Sequence, residues 1–270
     1  MGLLRVILGS FVDFYRDNGL TNAAAISYFS VMAIVPFCLL VITIFGYVIG
    51  YDEGLLIFFT ERISHFFPRI THDIVGELKK IITYRGIGRL TLLIYIILSY
   101  QLFSSIESAV NVIFKTKVRR AFLISLLISI FIISLVSMLI VLSFVASTAI
   151  SLLQLFKDYF PGLKIGIVIS FLIGYVIPFI LLFLTMIVLY LFLPKTKVKI
   201  KPVVSGALFA SVMFEVAKHV FTIYVVRVAE FGTIYGPMSA FVIFLLWVFY
   251  SSSIFLIGAE IVHKLNKIRH

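Results

Sequence analysis

Charged and polar side chains inside an otherwise apolar segment are the residues of this chain best suited to chemistry. The segment 203–226 contains such a set at helical spacing, namely Ser211, Glu215, Lys218 and His219. Intervals of three and four residues place the set on one helical face, where Glu215 and Lys218 can form an ion pair. Ionisable groups in hydrocarbon are unfavourable by roughly 2.5–3.5 kcal/mol each, and they usually face a bundle interior or a wet cavity. The set is therefore a candidate substrate pathway, and an ion pair that only fixes helix packing is the alternative.

A second polar stripe lies in the segment 90–112 and comprises Gln101, Ser104, Ser108 and Asn111, with Glu107 beside it. Glu107 is about a turn and a half from the end of its segment, so it can pair with Arg119 or Arg120. Glu260, near the end of another apolar segment, has Lys264 four residues on as a ready partner. For both glutamates, structural pairing and a place in the substrate pathway remain open.

The stretch NAAAISYFSVMAIVPF, residues 22–37, opens a long apolar segment with small and polar residues. Ala23, Ser27 and Ser30 share one helical face, and small residues let helices approach closely in lipid. Ser27 and Tyr28 can also hydrogen-bond to neighbouring helices or line a polar cavity open to the cytoplasm. We therefore expect an interior helix that contributes to the pathway.

Two prolines inside apolar segments are candidate hinges or kinks, namely Pro36 and Pro178. A proline frees a backbone carbonyl and bends its helix, which demands compensation within a bundle. Their contexts are alike, IVPFCLL at 34–40 and VIPFILL at 176–182. An inverted three-plus-three repeat explains this likeness, as does chance in sequence of limited alphabet.

The composition indicates a membrane protein. Of the 270 residues, 62% are hydrophobic and 13% charged, with a mean hydropathy of +1.17, whereas a soluble domain is roughly 45–50% apolar and about 25% charged. Residues 1–20 predict an interfacial amphipathic helix, and 51–88 predicts amphipathic helices on the extracytoplasmic side. The predicted fold is all-α, a single membrane domain over 1–270 built as a six-transmembrane-helix bundle. The six predicted spans are 23–49, 90–112, 121–150, 165–193, 203–226 and 237–262.

The distribution of positive charge predicts the orientation of the chain. The loops 113–120 and 194–201 each carry four Lys or Arg residues and no acid. The positive-inside rule then places both termini in the cytoplasm. The net charge of +11 is spread over such loops, which favours membrane lipids, with anionic lipid at the cytoplasmic face, as partners rather than nucleic acid.

Four motifs, in order along the chain, carry a family resemblance: NGLTNAAAISYFSVMAIVPF, ESAVNVIF, YLFLPKTKVKIKPVVSGALFASVMFEVAKHVFTIYV and YGPMSAFVIFLLWVFYSSSIFLIGAEI. Together they resemble the YihY/BrkB family of bacterial inner-membrane proteins over almost the whole chain. The resemblance implies six transmembrane helices, both termini in the cytoplasm and a location in the inner membrane. Part of the family carries the label ribonuclease BN, and other members are linked to virulence, serum resistance or envelope lipid traffic.

The nuclease label does not suit the residues of this chain. A metal-dependent nuclease needs clustered Asp, Glu or His to hold the ions that activate water. The histidines are scattered, at His65, His72, His219, His263 and His270, and the chain has one cysteine, Cys38. We therefore expect no enzymatic activity, no metal site and no cofactor.

Two functions fit these residues. The first is a transporter or flippase-like protein that moves a lipid-like or anionic amphiphilic substrate through a helix-lined polar cavity. The second is a non-transporting scaffold or regulator of envelope assembly, in which the intramembrane charges only secure packing. A homo-oligomer is compatible with either.

Overall fold

The computed structural model describes residues 3–48, 87–116, 175–228 and 239–268, together with scattered helical residues between 124 and 139. This part of the chain is helical with short connections and contains no strand, as the predicted all-α class requires. The chain forms two compact units, residues 28–102 and the remainder. The helices are α1 (Leu3–Arg16), α2 (Gly19–Val48), α3 (Ile87–Ile113), α4 (Ile177–Phe192), α5 (Ile200–Val228) and α6 (Ser239–Ile268).

The helices occupy much of the sequence predicted to span the membrane. Within α5 and α6, Ile200–Tyr224 and Phe241–Ile268 are long and apolar enough to cross a bilayer, judged by length and composition. The predicted outer helices of 51–88 fall almost entirely outside the described residues, as does most of 121–150. The count of six spans therefore stays a prediction.

The unit of residues 28–102 contains most of α2 and the first part of α3. Pro36 does not end its helix, because α2 continues to Val48. Tyr28 is 53% exposed, and Gln101 is also exposed.

The core of the other unit forms where α4, α5 and α6 meet. A Cβ atom on Gly206 of α5 would strike Val262 and the Gly258 carbonyl of α6, and one on Gly258 would strike the Tyr190 hydroxyl of α4. Tyr190 is fully buried and donates a hydrogen bond of 2.7 Å to the carbonyl of Phe255. Small residues thus bring three backbones close together, as membrane helices require for packing.

The first helix packs on the last. α1 buries Val6, Ser10 and Phe14, and it contacts α6. Of the apolar face predicted for this segment, Phe14 is buried whereas Phe11 is 37% exposed, because the side of α1 that carries Val6 and Ser10 meets protein. Asn18 then adopts a left-handed conformation with φ of 56°, which Asn tolerates well, and α2 begins at Gly19.

Candidate functional site

Three ionisable side chains form a compact group on α5, which we call the α5 triad: Glu215, Lys218 and His219. Lys218 Nζ lies 2.6 Å from Glu215 Oε1, and His219 Nε2 lies 3.5 Å from the same oxygen. The pairing predicted between Glu215 and Lys218 is thus confirmed. The three side chains are 26%, 42% and 60% exposed, respectively. Charge is therefore accessible inside a helix whose composition suits a membrane span.

The buried side of the triad meets α6 through aromatic and hydroxyl groups. Trp247 contacts the rings of Phe214 and Phe221, with centroids 5.3 and 4.8 Å away. Ser211 is fully buried, and its hydroxyl has no hydrogen-bond partner within the described residues; nor has that of Ser251. Buried hydroxyls normally find a partner. The seam between α5 and α6 therefore has unused capacity to bind polar atoms near the triad.

A second set of charges lies at the helix ends, and we call it the helix-end network: Asp13, Asp17, Glu107, Lys115, Lys195, Glu260 and Lys264. Lys264 Nζ of α6 donates to Asp13 Oδ2 of α1 at 2.7 Å. The lysine reaches its partner across Gly9, where a Cβ atom would strike it. This hydrogen bond lowers the pKa of Asp13 below its ordinary value of 3.8.

Glu260 occupies the interior of this network. It is 2% exposed and lies beside the Asp17 carboxyl, with Lys115 in electrostatic range. Lys115 in turn approaches Asp17 at 3.5 Å. The predicted pair of Glu260 with Lys264 is wrong, because Lys264 turns to Asp13 on α1. Two neighbouring carboxyl groups repel when both are ionised, and Lys115 offsets only part of that repulsion.

Glu107 joins the network from α3. Its carboxylate lies 3.8 Å from Lys195 Nζ, and the exposed fractions of the two side chains are 8% and 18%. Asn111, one turn on, accepts a hydrogen bond of 3.1 Å from the backbone N–H of Lys195 and donates one of 2.7 Å to the Glu107 carbonyl. The partners predicted for Glu107, Arg119 and Arg120, lie outside the described residues.

With this geometry in place, comparison with known proteins decides the family. Residues 10–269 match the family model described as virulence factor BrkB. The chain belongs to this family. The resemblance drawn from the four sequence motifs is thereby confirmed.

Relatives in the BrkB family are known as membrane proteins. The chain is 29% identical over 265 residues to the UPF0761 membrane protein of Azotobacter vinelandii, covering 96% of this chain and 62% of the relative. It is 27% identical to UPF0761 membrane protein PsycPRwf_0630 of Psychrobacter, over 97% and 48% of the two chains. A third relative, PSHAa0171 of Pseudoalteromonas translucida, is 25% identical over 91% and 80%. The chain thus spans about half to two thirds of the first two relatives, and no solved structure matches it.

In this BrkB-family chain the predicted pathway residues separate into two levels. The α5 triad gathers three of them, Glu107 and Glu260 belong to the helix-end network, and Asn111 lies one turn from Glu107. Gly206 packs beside Gly258 and Val262, on either side of Glu260 along α6. Glu260 is therefore level with Gly206 of α5. Because Glu215 is nine residues beyond Gly206, the triad lies about 13 Å from that level along the axis of α5. These predicted residues therefore do not converge on a single site.

The remaining predicted residues have separate surroundings. Ser27 is 1% exposed, and its hydroxyl donates to the Ala23 carbonyl of its own helix at 2.8 Å, so it does not line an open cavity. Tyr28 and Gln101 belong to the other compact unit. Pro178 lies in the first turn of α4, directly after the π-helical residues Tyr175 and Val176.

Sequence reasoning missed the side chains that connect separate helices. Asp13, Lys195 and Lys264 are distant from their partners along the chain, so helical spacing cannot pair them. The one local signal is Gly9, four residues before Asp13, which leaves room on that face of α1. No group of three or more His, Cys, Asp or Glu residues placed to hold a metal ion occurs among the described residues.

Proposed function

We propose that this membrane protein of the BrkB family is a transporter or flippase-like protein for a lipid-like or anionic amphiphilic substrate. In this proposal the chain crosses the bacterial inner membrane six times with both termini in the cytoplasm. The observation that carries it is the α5 triad, in which Lys218 and His219 are 42% and 60% exposed within an apolar helix.

Exposure of these side chains is difficult to reconcile with a lipid-facing helix. Ionisable groups in hydrocarbon are unfavourable by roughly 2.5–3.5 kcal/mol or more, and at the depth of Glu215, about 22 Å from the start of α5, they cannot reach the nearer surface easily. The Glu215–Lys218 pair reduces this penalty without hydrating His219. A water-filled path beside α5 accounts for all three residues.

The chemistry of the triad suits reversible rather than permanent binding of an anion. Lys218 offers an ammonium to a phosphate or carboxylate headgroup, and Glu215 holds that ammonium in place when no substrate is present. Binding of the anion competes with Glu215 for Lys218, so the contact is reversible. No catalytic step is part of this proposal.

The scaffold alternative rests on the same 2.6 Å contact, because a satisfied pair within one helix also fits a structural role. In that case a second copy of the chain or another membrane protein covers the exposed face. A non-transporting protein would tolerate loss of the pair at some cost in stability and with no effect on lipid movement.

The test is transbilayer movement of a fluorescent anionic phospholipid in proteoliposomes. We expect Lys218→Met and Glu215→Gln to reduce the rate at least tenfold, since Lys218 contacts the headgroup. The exchange Glu215→Lys with Lys218→Glu keeps the ion pair and should keep the stability, yet it should not restore the rate. Val216→Ala, an exposed apolar neighbour, should leave the rate within about twofold of wild type. Unchanged rates in all variants would establish the scaffold instead.

A further inference from the structure

The connection between α4 and α5, together with the first two residues of α5, carries the densest positive charge of the described chain. We call residues 193–201 the lysine loop; they include four lysines and no acid: Lys195, Lys197, Lys199 and Lys201. Glu107 offsets the charge of Lys195 at 3.8 Å. Among the described residues no carboxylate pairs with Lys197 or Lys201, so these two charges are available to an anion.

This lysine loop is held in position by two side-chain amides. Asn111 of α3 accepts a hydrogen bond of 3.1 Å from the Lys195 backbone, and Asn266 of α6 accepts one of 3.2 Å from the Lys199 backbone. Pro194 is buried beside the first of these contacts. Anchorage at both ends fixes the loop before any ligand arrives, and preorganisation of this kind strengthens binding.

An open groove of about 480 Å³ runs along the loop. Its lining combines the apolar residues Ile128, Leu191 and Phe192 with the polar residues Lys195, Thr196 and Lys197. Lys197 and Thr196 are exposed, and Phe192 is 41% exposed. The groove therefore offers a ligand both hydrocarbon and polar groups, namely two cations and a hydroxyl.

An exposed apolar stripe on α5 begins at Ile200, two residues after Val198, which lines the groove. Ile200, Val204, Leu208 and Val212 recur every four residues and are all exposed, by 37% to 68%. Residues at this spacing form a stripe along one helical face. The start of α5 also lies at the loop, and the positive end of its dipole favours an anion there. An amphiphile with a charged end at the loop would place its chain along this stripe.

We propose that the lysine loop binds the phosphate of an anionic phospholipid, with Lys197 and Lys201 as the headgroup contacts and an acyl chain along the α5 stripe. The ligand is a lipid rather than a soluble anion because apolar residues line the groove together with the lysines, and the exposed apolar stripe of α5 begins two residues after that lining. This site is separate from the α5 triad. The inference rests on the membrane location and not on transport.

Native mass spectrometry of the purified full chain tests this site. The protein is equilibrated in mixed micelles with phosphatidylglycerol and phosphatidylcholine of identical acyl chains. We expect wild type to retain phosphatidylglycerol preferentially, and Lys197→Gln with Lys201→Gln to lower that preference at least tenfold, since each surface lysine contributes about fivefold. Lys197→Arg with Lys201→Arg should retain the preference for phosphatidylglycerol. That result would show that the loop still folds when these two lysines are replaced.

A charge-matched control separates the site from the overall charge of the protein. Arg5→Gln with Arg16→Gln removes two exposed positive charges from α1 and should leave the preference unchanged. Equal loss in both double variants, or no loss in either, would overturn the site. Displacement of the lipid by millimolar inorganic phosphate would show that the site binds free phosphate, and the assignment of the site to lipid would be wrong. Glu215→Gln should retain the lipid whether or not it transports, so failure here is distinguishable from failure of the proposed transport.

Discussion

The α5 triad and the helix-end network are built from the same chemical groups but differ in burial and origin. Both pair carboxylates with lysines. In the network, Glu107 is 8% and Glu260 2% exposed, whereas Lys218 and His219 of the triad are 42% and 60% exposed. The network draws its charges from α1, α3, α6 and the lysine loop, while the triad draws all three from α5.

This difference in origin separates a structural role from a functional one. A charge pair between helices fixes their relative position, as Asp13 and Lys264 do for α1 and α6. A pair within one helix, such as Glu215 with Lys218, fixes nothing beyond that helix. The triad therefore remains available to an external group, and the network is committed to the fold.

Gly258→Ala should have the largest effect, because it disrupts the frame that supports both regions. The added methyl group would strike the Tyr190 hydroxyl and approach Ala210 at 3.0 Å. Overpacking, together with loss of the Tyr190 hydrogen bond, should lower the free energy of unfolding by about 3 kcal/mol. Chemical denaturation of the purified protein in detergent measures this change.

The double variant Tyr190→Phe with Gly258→Ala is the internal control for that prediction. Removal of the hydroxyl should cost about 1 kcal/mol alone and should recover part of the loss when combined with Gly258→Ala. Additive losses would show that the two residues do not meet, and the packing described for this frame would then be wrong.

Glu107→Ala should come next and should affect stability rather than transport. It leaves the Lys195 ammonium, 18% exposed, without its carboxylate, and breaking a mostly buried pair is expected to cost about 2–3 kcal/mol. Lys195→Met in the Glu107→Ala background should restore part of that loss. Lipid movement per folded molecule should stay within about twofold of wild type; a selective tenfold fall would place Glu107 in the substrate pathway instead.

Local periodicity and composition determined how much of the fold and of the candidate site could be predicted from the sequence. The pair of Glu215 and Lys218 was predictable because three residues on a helix separate neighbouring side chains. The all-α class and the family followed from apolar runs and ordered motifs. These features lie within single segments, so folding does not alter them.

Partners on different helices could not be predicted in this way. Glu260 was expected to pair with Lys264, four residues away, yet Lys264 bonds to Asp13, which is 251 residues distant. The reason is that Gly9 lets α6 approach α1 closely enough for the lysine to cross it. Similarly, Glu107 meets Lys195 because Asn111 holds the lysine loop against α3. Such pairing follows from tertiary packing.

The exchange of Glu215 and Lys218 should alter stability less than Glu107→Ala. Partly exposed pairs one turn apart contribute about 0.3–0.5 kcal/mol, so the exchanged pair should melt within about 1 kcal/mol of wild type. Denaturation in detergent checks this. A loss as large as that of Glu107→Ala would mean that the triad is structural, and the distinction between the two regions would disappear.

The smallest effect is expected from Asp13, and it should depend on pH. Because Lys264 lowers the pKa of Asp13 below 3.8, the unfolded chain binds this proton more tightly than the folded protein. The contribution is therefore complete above that ordinary value and disappears as the pH falls through the lowered pKa. Wild type should exceed Asp13→Asn in stability by about 0.5 kcal/mol near neutral pH and by nothing in strong acid.

Gly9→Ala provides the decisive comparison for this pH dependence, since it leaves Asp13 in place. The added methyl group occupies the path of Lys264, so the lysine can no longer hold Asp13 at 2.7 Å. In the Gly9→Ala background, Asp13→Asn should therefore make a smaller difference to stability than in wild type, because only the weaker attraction of Lys115 and Arg16 remains. An unchanged difference would show that α1 is not held on α6 by this hydrogen bond. If the difference shrinks, the contact between the first and last helices accounts for most of the sensitivity to acid, and it is a pairing that the sequence did not predict.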